Sequence, residues 1–483
     1  GKPGHTLFPD ENPDDKRPLH YPFHVNEYAH NMGNAMGNLK DYQDAIESST
    51  RICGAAIWDW VDQGLYKKVE GGRTILAYGG DFGDYPNEKA FVMNGCVLAD
   101  RTPEPGYWEI KHVFQPIVSV KGRDGASLEV TNRHYFRDLS AYACTLTHLV
   151  NGEVVEERTL ELAAKPRETV VVPVEATGSW RIAFRQKEDE GLWPKGWTIA
   201  DDQVDFSAPR TASVRSGKLA FEFSEKTGEL VSLKSGRLFK TELLKAPLTL
   251  DVFRAPVQNE WEEALVWKAA QLERPVAKPV SFARRTDGAA EIVTSTVDYF
   301  CASGRILRAE TTWRIADGAA EMKTRFSGVR TDLKLARVGW RTVLDSTSPD
   351  VEWLGCGPFE NYADRRSGAF LGLWRMPAAD FFVPYDVPQD CGNREGTYRL
   401  TLSTLLDGLT VETLDRPFAF EVCPYTPEEL MAEKHPAELP PSKGTFVGVY
   451  AQVRGLGGHS CGPYPLERDM LQAADYELNL VIK

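Results

Sequence analysis

Apolar and polar residues follow the periods of both strands and helices over the first 117 residues of the chain. Short apolar runs at 21–26 and 52–58 have the length of buried strands. Between 37 and 49 the apolar residues recur every three or four positions, which predicts an amphipathic helix, and a second helical stretch follows at 105–113. Strands that alternate with helices indicate a parallel sheet, here of about two β/α units. Two units cannot close on themselves, so we expect the rest of such a sheet to precede Gly1.

From about residue 118 apolar residues recur at every second position, which is the period of a strand. Runs in which apolar and polar residues alternate are separated by Gly, Asn, Asp and Pro, without helical spacing. These runs lie at 118–120, 128–130, 143–149 and 169–174. A span of about 90 residues of this kind predicts a β-sandwich of immunoglobulin size. We assign it to residues 118–209 and expect 198–209 to be its connector to the next domain.

The same alternation continues over residues 210–483. A Lys-Thr-Gly turn at 226–228, strands at 310–314 and 321–326, and a final alternating stretch at 474–483 are typical of antiparallel sheet. The segment is too long for a small sandwich and has no repeat of solenoid or propeller period. It therefore predicts one large antiparallel β-domain.

Composition narrows the class of partner. The chain has 483 residues, with 56 basic against 69 acidic side chains and a net charge of −13. Such a surface repels nucleic acid and anionic membranes, and no run of 18 apolar residues is present, so neither is expected as a partner. The 12 Trp, 17 Tyr and 22 Phe provide the flat aromatic faces that sugar-binding sites use, although most must fill cores.

The eight cysteines are scattered singly, without the paired spacing of zinc sites. Their even number permits disulfides, but their spread favours reduced thiols in a cytosol-like compartment. The segment through Pro18 is polar and rich in Pro, Asp and Gly, which predicts a loop. Because the chain opens within this loop and has neither an initiating Met nor a signal sequence at Gly1, we expect its N-terminus to be a cut.

Glu27 lies at the C-terminal end of the first predicted strand, followed at once by Tyr28 and then by His30 and Asn31. The C-terminal ends of parallel strands are where β/α barrels carry catalytic groups. A lone glutamate here is best interpreted as a solvated residue that begins a loop. Burying so many polar groups together, however, is costly unless they satisfy one another or a ligand. The cluster therefore favours a functional site at Glu27.

Two further segments suit a site at the same strand ends. Trp58 ends the second strand beside two aspartates, and is equally compatible with a core position and with a platform for the C–H face of a sugar. The loop at 79–87 is rich in glycine and acid but lacks the signatures of a phosphate-binding loop and of an EF-hand. Oxygen-bearing groups just after it, at 91–95, suit a hard cation.

The motifs of this region occur in a specific order. They are Asn-Glu-Tyr-Ala-His-Asn-Met-Gly-Asn at 26–34, Trp-Asp-Trp-Val-Asp-Gln at 58–63, Tyr-Gly-Gly-Asp-Phe-Gly-Asp at 78–84, Met-Asn-Gly at 93–95 and Asp-Arg-Thr-Pro at 100–103. Later motifs lie at 253–256, 354–365, 388–394 and 455–458. The series resembles the C-terminal half of the bacterial β-galactosidases of glycoside hydrolase family 2, the lac-operon type, over essentially the whole chain.

The resemblance implies a multidomain fold: the C-terminal part of a (β/α)8 barrel at 1–117, an immunoglobulin-like β-sandwich at 118–209, and a large antiparallel β-sandwich domain of the β-galactosidase small-chain type at 210–483. It implies retaining hydrolysis of terminal β-D-galactosides such as lactose. The full-length parent would be a homo-oligomer, most plausibly cytoplasmic in a bacterium, with a periplasmic location left open.

The resemblance also implies roles for individual residues. Glu27 would be the nucleophile that forms a galactosyl-enzyme ester. Substrate contacts would come from Tyr28, His30, Met32 and Trp58. Asn94 and the backbone oxygen of Phe91 would bind sodium (or potassium), and Asn87 would lie near a catalytic magnesium ion.

The chain departs from the family pattern in three ways. The acid/base glutamate of the family precedes the nucleophile by far more than the 26 residues that precede Glu27 here, so we expect it upstream of Gly1. We expect the N-terminal domains of the family to precede Gly1 as well. Where a tryptophan commonly lines the rim of the site, the chain has His459, Ser460 and Cys461. A β-glucuronidase or a β-mannosidase of the same family lacks the continuation of the motif after Tyr28. The alternative function is a carbohydrate-binding or assembly module without catalysis.

Overall fold

The computed structural model describes residues 22–210, 216–236, 240–404 and 407–483. The predicted opening loop through Pro18, and Tyr21 at the start of the first apolar run, lie outside these residues. Within them the chain forms thirty strands and four α-helices. None of the helices in this described part combines the length and the apolar character needed to cross a membrane.

The first part of the chain contains two parallel strands, two helices and a hairpin. Its elements are β1 (Phe23–Tyr28), α1 (Leu39–Ser48), β2 (Ile52–Ile57), β3 (Leu65–Lys68), β4 (Thr74–Ala77) and α2 (Pro105–Val113). β1 and β2 pair in parallel, with Val25 opposite Ala55, as the β/α pattern predicts. The antiparallel hairpin β3–β4 was not predicted, because strands of four residues are too short for a period to be recognised.

Both predicted helices form, for the reasons that the sequence indicates. Leu39 and Tyr42, three positions apart, are the buried residues of α1. α2 begins at Pro105, whose fixed φ and missing N–H suit the first helical position, and it buries Val113 in its last turn. These side chains join Tyr28 in one apolar cluster. The two helices therefore hold the C-terminal end of β1 in place.

The second part of the chain is a two-layer sandwich. Its strands are β5 (Ile117–Lys121), β6 (Ser127–Asn132), β7 (Tyr142–Val150), β8 (Glu153–Leu160), β9 (Thr169–Pro173), β10 (Ser179–Gln186) and β11 (Thr198–Asp205). They form sheets of order β5-β6-β9 and β11-β10-β7-β8. Buried residues from both sheets, among them Leu128, Leu146 and Trp180, form one core.

The prediction that residues 198–209 connect two domains is wrong for the first eight of them. They form β11, an edge strand paired with β10, in which Val204 lies opposite Trp180. Two adjacent aspartates hide its alternation in the sequence. Asp202 is buried because its carboxylate accepts hydrogen bonds from Gln115 Nε2 at 2.9 Å and from the Ser119 backbone N–H at 2.6 Å.

The third part of the chain is one large β-domain. Its elements are β12 (Ala220–Phe223), β13 (Leu230–Ser235), β14 (Thr241–Glu242), β15 (Leu244–Asp251), α3 (Trp261–Ala270), β16 (Val276–Asp287), β17 (Ala290–Cys301), β18 (Gly304–Ala316), β19 (Ala319–Gly328), β20 (Arg330–Lys334), β21 (Arg337–Leu344), β22 (Asp350–Gly357), β23 (Phe370–Pro377), β24 (Asn393–Thr397), β25 (Arg399–Ser403), β26 (Gly408–Thr413), β27 (Phe418–Cys423), α4 (Pro427–Ala432), β28 (Thr445–Val453), β29 (Gln472–Ala473) and β30 (Tyr476–Ile482).

Two antiparallel sheets dominate this β-domain. The larger has nine strands in the order β16-β17-β18-β19-β30-β26-β25-β22-β23, and the smaller has five in the order β15-β21-β28-β27-β24. The final strand β30, which the sequence predicts, lies inside the larger sheet, with Leu480 opposite Met322 of β19. Trp313 and Met322 of the larger sheet share one core with Leu250 and Phe420 of the smaller, so the two sheets pack face to face.

The segment that follows β1 is fastened to the β-domain. The Asn34 amide donates to Tyr362 Oη at 3.0 Å and to the backbone oxygen of Asp390 at 2.8 Å. Arg365 donates to the backbone oxygen of Ala35 at 2.8 Å. All of these side chains are buried, so each hydrogen bond satisfies a group that water cannot reach. The β-domain is therefore part of the support for the end of β1.

Candidate active site

Glu27 is an exposed residue near the C-terminal end of β1. Tyr28, the next residue, is buried and packs edge-on against the Tyr42 ring with centroids 5.3 Å apart. Burial raises the pKa of Tyr28 far above its usual range, so its phenol is neutral at physiological pH. Tyr28 therefore fixes the strand from the protein side, and Glu27 is left open to solvent on a rigid support.

His30 follows two residues after the strand and is 4% exposed. Its Nδ1 lies 2.8 Å from Ser460 Oγ of the β-domain, and its ring stacks on Phe91 with centroids 5.5 Å apart. Burial lowers the pKa of His30 to about 4, against a smaller opposing effect of Asp59. The imidazole is therefore neutral near pH 7, with one nitrogen able to donate and the other able to accept a hydrogen bond.

Trp58 lies directly after β2 and is 37% exposed, so its ring is not fully packed in the core. Its role as a platform for a sugar stays a prediction. Main-chain hydrogen bonds join this strand end to that of β1: Trp58 N–H donates to the Tyr28 oxygen at 3.2 Å, and Asn31 N–H donates to the Trp58 oxygen at 2.8 Å. Glu27 and Trp58 therefore belong to one rigid platform.

The loop at 79–89 is organised by its own side chains. Asp84 accepts from the Gly80 backbone N–H at 3.0 Å, and Asn87 donates to the Asp84 oxygen at 2.9 Å while accepting from the Lys89 N–H at 3.1 Å. Both polar atoms of the Asn87 side chain are thus engaged within the loop. These hydrogen bonds do not test whether Asn87 lies near a magnesium ion, so that proximity stays a prediction of the resemblance, and we derive no step through the ion.

Asn94 and Phe91 lie at the base of the same platform. Asn94 is buried, its Nδ2 donates to the Phe91 backbone oxygen at 3.0 Å, and its own backbone oxygen accepts from Asp59 N–H at 2.6 Å. The Asn94 Oδ1 atom is buried and has no hydrogen-bond partner among the described residues. An unpaired buried amide oxygen is costly, and beside a backbone oxygen it provides the ligands that a hard cation prefers. The Asn94 Oδ1 suits a hard cation, whereas the Phe91 oxygen already accepts from Asn94 Nδ2, so the sodium or potassium site stays a prediction.

Met32 packs with Ala90 and Met93 in a small apolar cluster and is 8% exposed. This packing gives Met32 a structural role, and the substrate contact that the resemblance implies for it stays a prediction.

Two buried carboxyl groups meet where this platform touches the β-domain. Asp62 accepts from the Gly95 backbone N–H at 2.7 Å and shares a hydrogen bond with Asp386. Burial raises the pKa of Asp62 to about 6, and burial together with Asp62 raises that of Asp386 to about 9. Both pKa values are thus raised, which favours a proton shared between the two side chains over two ionised carboxylates.

Sequence reasoning missed the β-domain residues that reach this platform. Ser460 and Asp386 are separated from their partners by hundreds of residues, and no local period connects them. The departure from the family pattern at 459–461 was the one signal that could have drawn attention to Ser460. Nothing in the sequence around Asp386 distinguishes it from a solvated aspartate.

Models of known families match the chain in three consecutive regions. Residues 6–119 match "Glycosyl hydrolases family 2, TIM barrel domain", residues 128–207 match "Beta-galactosidase, domain 4", and residues 215–482 match "Beta galactosidase small chain". These matches and the fold define a class, the glycoside hydrolases of family 2. The predicted fold class is thereby confirmed.

Three curated relatives give the same result at closer range. "Beta-galactosidase 2" of Enterobacter cloacae is 30% identical over 92% of this chain and 46% of that protein. "Beta-galactosidase" of Priestia megaterium is 30% identical over 90% of this chain and 45% of that protein. "Beta-galactosidase" of Halalkalibacterium halodurans is 29% identical over 94% of this chain and 48% of that protein. The chain spans about half the length of these relatives.

Within the class, the chain belongs to the β-galactosidases, since the small-chain model alone matches more than half of its residues. The family that its motifs predict is thus confirmed. What a whole enzyme containing this chain acts on, and which side chains do so, are matters of proposal.

Proposed function

We propose that the chain supplies the nucleophile half of a retaining β-galactosidase site, with Glu27 as the nucleophile. The observation that supports this most directly is the position of Glu27: exposed near the C-terminal end of a parallel strand, on a support that Tyr28 and the β-domain make rigid. The relatives named above are β-galactosidases, which favours a terminal β-D-galactoside such as lactose as the substrate.

In this reaction a Glu27 carboxylate oxygen attacks the anomeric carbon as the glycosidic C–O bond breaks. The leaving alcohol takes a proton from a second carboxylic acid, and a galactosyl ester remains on Glu27. Water, deprotonated by the same second carboxylate, then attacks the anomeric carbon and releases galactose with its original configuration. Neutral His30 would hydrogen-bond a sugar hydroxyl, and exposed Trp58 would stack on the C–H face of the sugar.

The proposal assigns one of two carboxylates to this chain, and the resemblance assigns the other to a position upstream of residue 1. We therefore expect the purified 483-residue chain to hydrolyse a chromogenic β-galactoside at no more than the background rate, because the leaving group has no proton donor. A full-length enzyme that contains the chain should be active under the same conditions. Robust turnover by the chain alone would contradict this assignment.

Sodium is expected to bind through Asn94 and the Phe91 backbone oxygen, where it would neutralise two oxygen dipoles and offer a positive charge to a sugar hydroxyl. We expect Asn94→Ala to weaken sodium binding by at least about tenfold, the loss seen when even an outer partner of a metal ligand is removed. The broadening of the ²³Na resonance by the chain measures this without turnover.

The matched control for this measurement is Asn479→Ala. Asn479 lies on the last strand, where it donates to Asp415. It should leave the sodium titration unchanged. Equal sodium broadening by the Asn94→Ala variant and by the unmodified chain would remove Asn94 from the cation site.

The alternative function, a carbohydrate-binding or assembly module without catalysis, shares the exposed Trp58 with the enzyme proposal. The two differ in what Glu27 does, because a binding module forms no covalent bond with a sugar.

A further inference from the structure

The loop at 455–462 of the β-domain is held by hydrogen bonds from four directions. Asp364 accepts from the backbone N–H groups of Leu456 and Gly457, at 2.9 and 2.8 Å. Gly37, on the segment after β1, donates its N–H to the Gly457 oxygen at 2.9 Å. Arg254, which is fully buried, donates to the Gly455 oxygen at 3.0 Å. Backbone groups of Gly455, Leu456 and Gly457 are therefore tied to neighbouring segments of the fold.

Asn259 fixes the end of the loop where Ser460 lies. Its side-chain N–H group donates to the Leu456 and Gly457 oxygens, at 3.2 and 2.9 Å, and its Oδ1 accepts from the Ser460 backbone N–H at 3.1 Å. Asn259 is 1% exposed. Its amide oxygen and nitrogen therefore have no competing water, and they set the position of the Ser460 backbone within the loop.

Ser460 connects this loop to the platform around Glu27. Its Oγ lies 2.8 Å from Nδ1 of His30, 430 positions away in the sequence. The His30 ring is held on one face by the Phe91 ring, which leaves its rotation about the Cβ–Cγ bond to be decided by the contact at Nδ1. A hydroxyl fixed at Nδ1 limits the rotation of the ring, because it pairs with Nδ1 whether that nitrogen donates or accepts.

We propose that Ser460 is a positioning residue of the glycosidase site: its hydroxyl, placed by Asn259 and Asp364, holds the His30 ring in one orientation and leaves the other ring nitrogen for the sugar. The part that His30 plays with substrate rests on the proposed function. The ordering of the His30 ring does not depend on the proposed function. Asp59, whose negative charge acts on His30, belongs to the platform and is common to all of the variants below.

The ordering of the ring can be measured without turnover. In the chain with ¹⁵N-labelled histidine, two-bond ¹H–¹⁵N spectra distinguish protonated from unprotonated ring nitrogens for each of the nine histidines. His30→Gln identifies the signals of His30. We expect sharp His30 ring signals in the unmodified chain, and signals shifted and broadened by ring rotation in Ser460→Ala. Ser460→Thr, which keeps a hydroxyl, should restore the first pattern.

The control is Cys461→Ala, because Cys461 is exposed and its side chain takes part in none of the hydrogen bonds described above. It should leave the His30 signals unchanged. Ser460→Ala keeps the backbone N–H that donates to Asn259 Oδ1, so the loop itself should stay in place. The thermal midpoint of the variant checks this. If Ser460→Ala leaves the His30 nitrogen signals as they are in the unmodified chain, the proposal is overturned.

The catalytic part is measured in a full-length enzyme that contains the chain. Ser460→Ala should lower kcat/KM for a β-galactoside by about 10- to 100-fold, the usual effect of losing the partner that orients a functional histidine. In a His30→Asn background the same change should have almost no effect, because the group it positions is gone. A loss of equal size in both backgrounds would mean that Ser460 acts in some other way and would contradict the inference.

The proposal for Glu27 and the proposal for Ser460 are contradicted by different results. If Glu27 is not the nucleophile, Glu27→Gln retains activity while the His30 signals still respond to Ser460→Ala. If Ser460 does not position His30, Glu27→Gln is inactive and the His30 signals are the same with and without the Ser460 hydroxyl.

Discussion

Glu27→Gln is expected to lower kcat of a full-length enzyme containing this chain by at least about 10⁴-fold, the scale of loss when a covalent nucleophile is removed. The amide has the size of the carboxylate but cannot displace the leaving group, so no galactosyl ester forms. Because Glu27 is exposed and the apolar cluster beneath β1 does not include it, the thermal midpoint should change little. Hydrolysis of a chromogenic β-galactoside at saturating substrate measures the loss.

Glu70→Gln is the matched control, since Glu70 is an exposed glutamate at the β3–β4 hairpin, away from the strand ends. It should keep the full rate. A smaller variant sharpens the test: Glu27→Ala leaves space on the nucleophile side, and added azide should restore turnover and give the α-galactosyl azide. Wild-type turnover in Glu27→Gln, or a β-configured azide from Glu27→Ala, would show that another group attacks the sugar.

Arg337→Met is expected to destabilise the β-domain by about 3–5 kcal/mol, as removal of one partner from a buried ion pair does. Arg337 is 1% exposed and sits among three buried carboxylates: its guanidinium lies 2.9 Å from Asp251, 3.1 Å from Asp390 and in hydrogen-bond contact with Glu421. Without the guanidinium, no other described arginine contacts these three carboxylates as closely. Urea unfolding followed by tryptophan fluorescence measures the shift of the transition.

The effect should depend on pH in a defined direction. Burial raises the pKa of Asp390 and of Glu421, and Arg337 opposes both shifts. A group whose pKa is raised by folding stabilises the fold at low pH and loses that contribution as pH rises through its folded value. Because Arg337→Met raises both values further, its destabilisation should be larger at about pH 8.5 than at about pH 5.5.

Arg325→Met is the control for the loss of an arginine. Arg325 pairs with Asp475 at 3.4 Å, with both side chains 61% exposed. Such a pair contributes less than about 1 kcal/mol, so the urea transition should hardly move. A similar, small shift in both variants would mean that the buried network around Arg337 does not stabilise the β-domain as its geometry indicates.

Local patterns predict the elements on which the site is built. α1 and α2 form where the helical spacing and Pro105 indicate, and β1 and β2 pair in parallel as the β/α alternation requires. These predictions work because each depends on a few neighbouring residues. The strand at 198–205 shows the limit: its buried Asp202 is stabilised by Gln115 and Ser119, and a partner more than 80 residues away leaves no trace in the local period.

The site shows the same limit more strongly. Family motifs imply roles for Glu27, His30, Trp58 and Asn94, which stay predictions. Only the structure shows that Met32 packs with Ala90 and Met93 and that the Asn87 amide is hydrogen-bonded within its loop. Ser460 and Asp386 reach the platform from the β-domain. Long-range polar contacts of this kind are determined by how whole domains dock, and a single sequence carries no periodic signal for that.

The central claim is that Glu27 forms the covalent bond with the sugar, and trapping that bond tests it most directly. A full-length enzyme containing the chain is inactivated with a 2-deoxy-2-fluoro-β-galactoside carrying a good leaving group, because the fluorine slows hydrolysis of the ester more than its formation. Peptide mass spectrometry of the digest then locates the label. The account predicts a fluorogalactosyl ester on Glu27, in the peptide containing residues 26–34, and no label in Glu27→Gln. An ester on any other carboxylate, or inactivation without an ester, would contradict it.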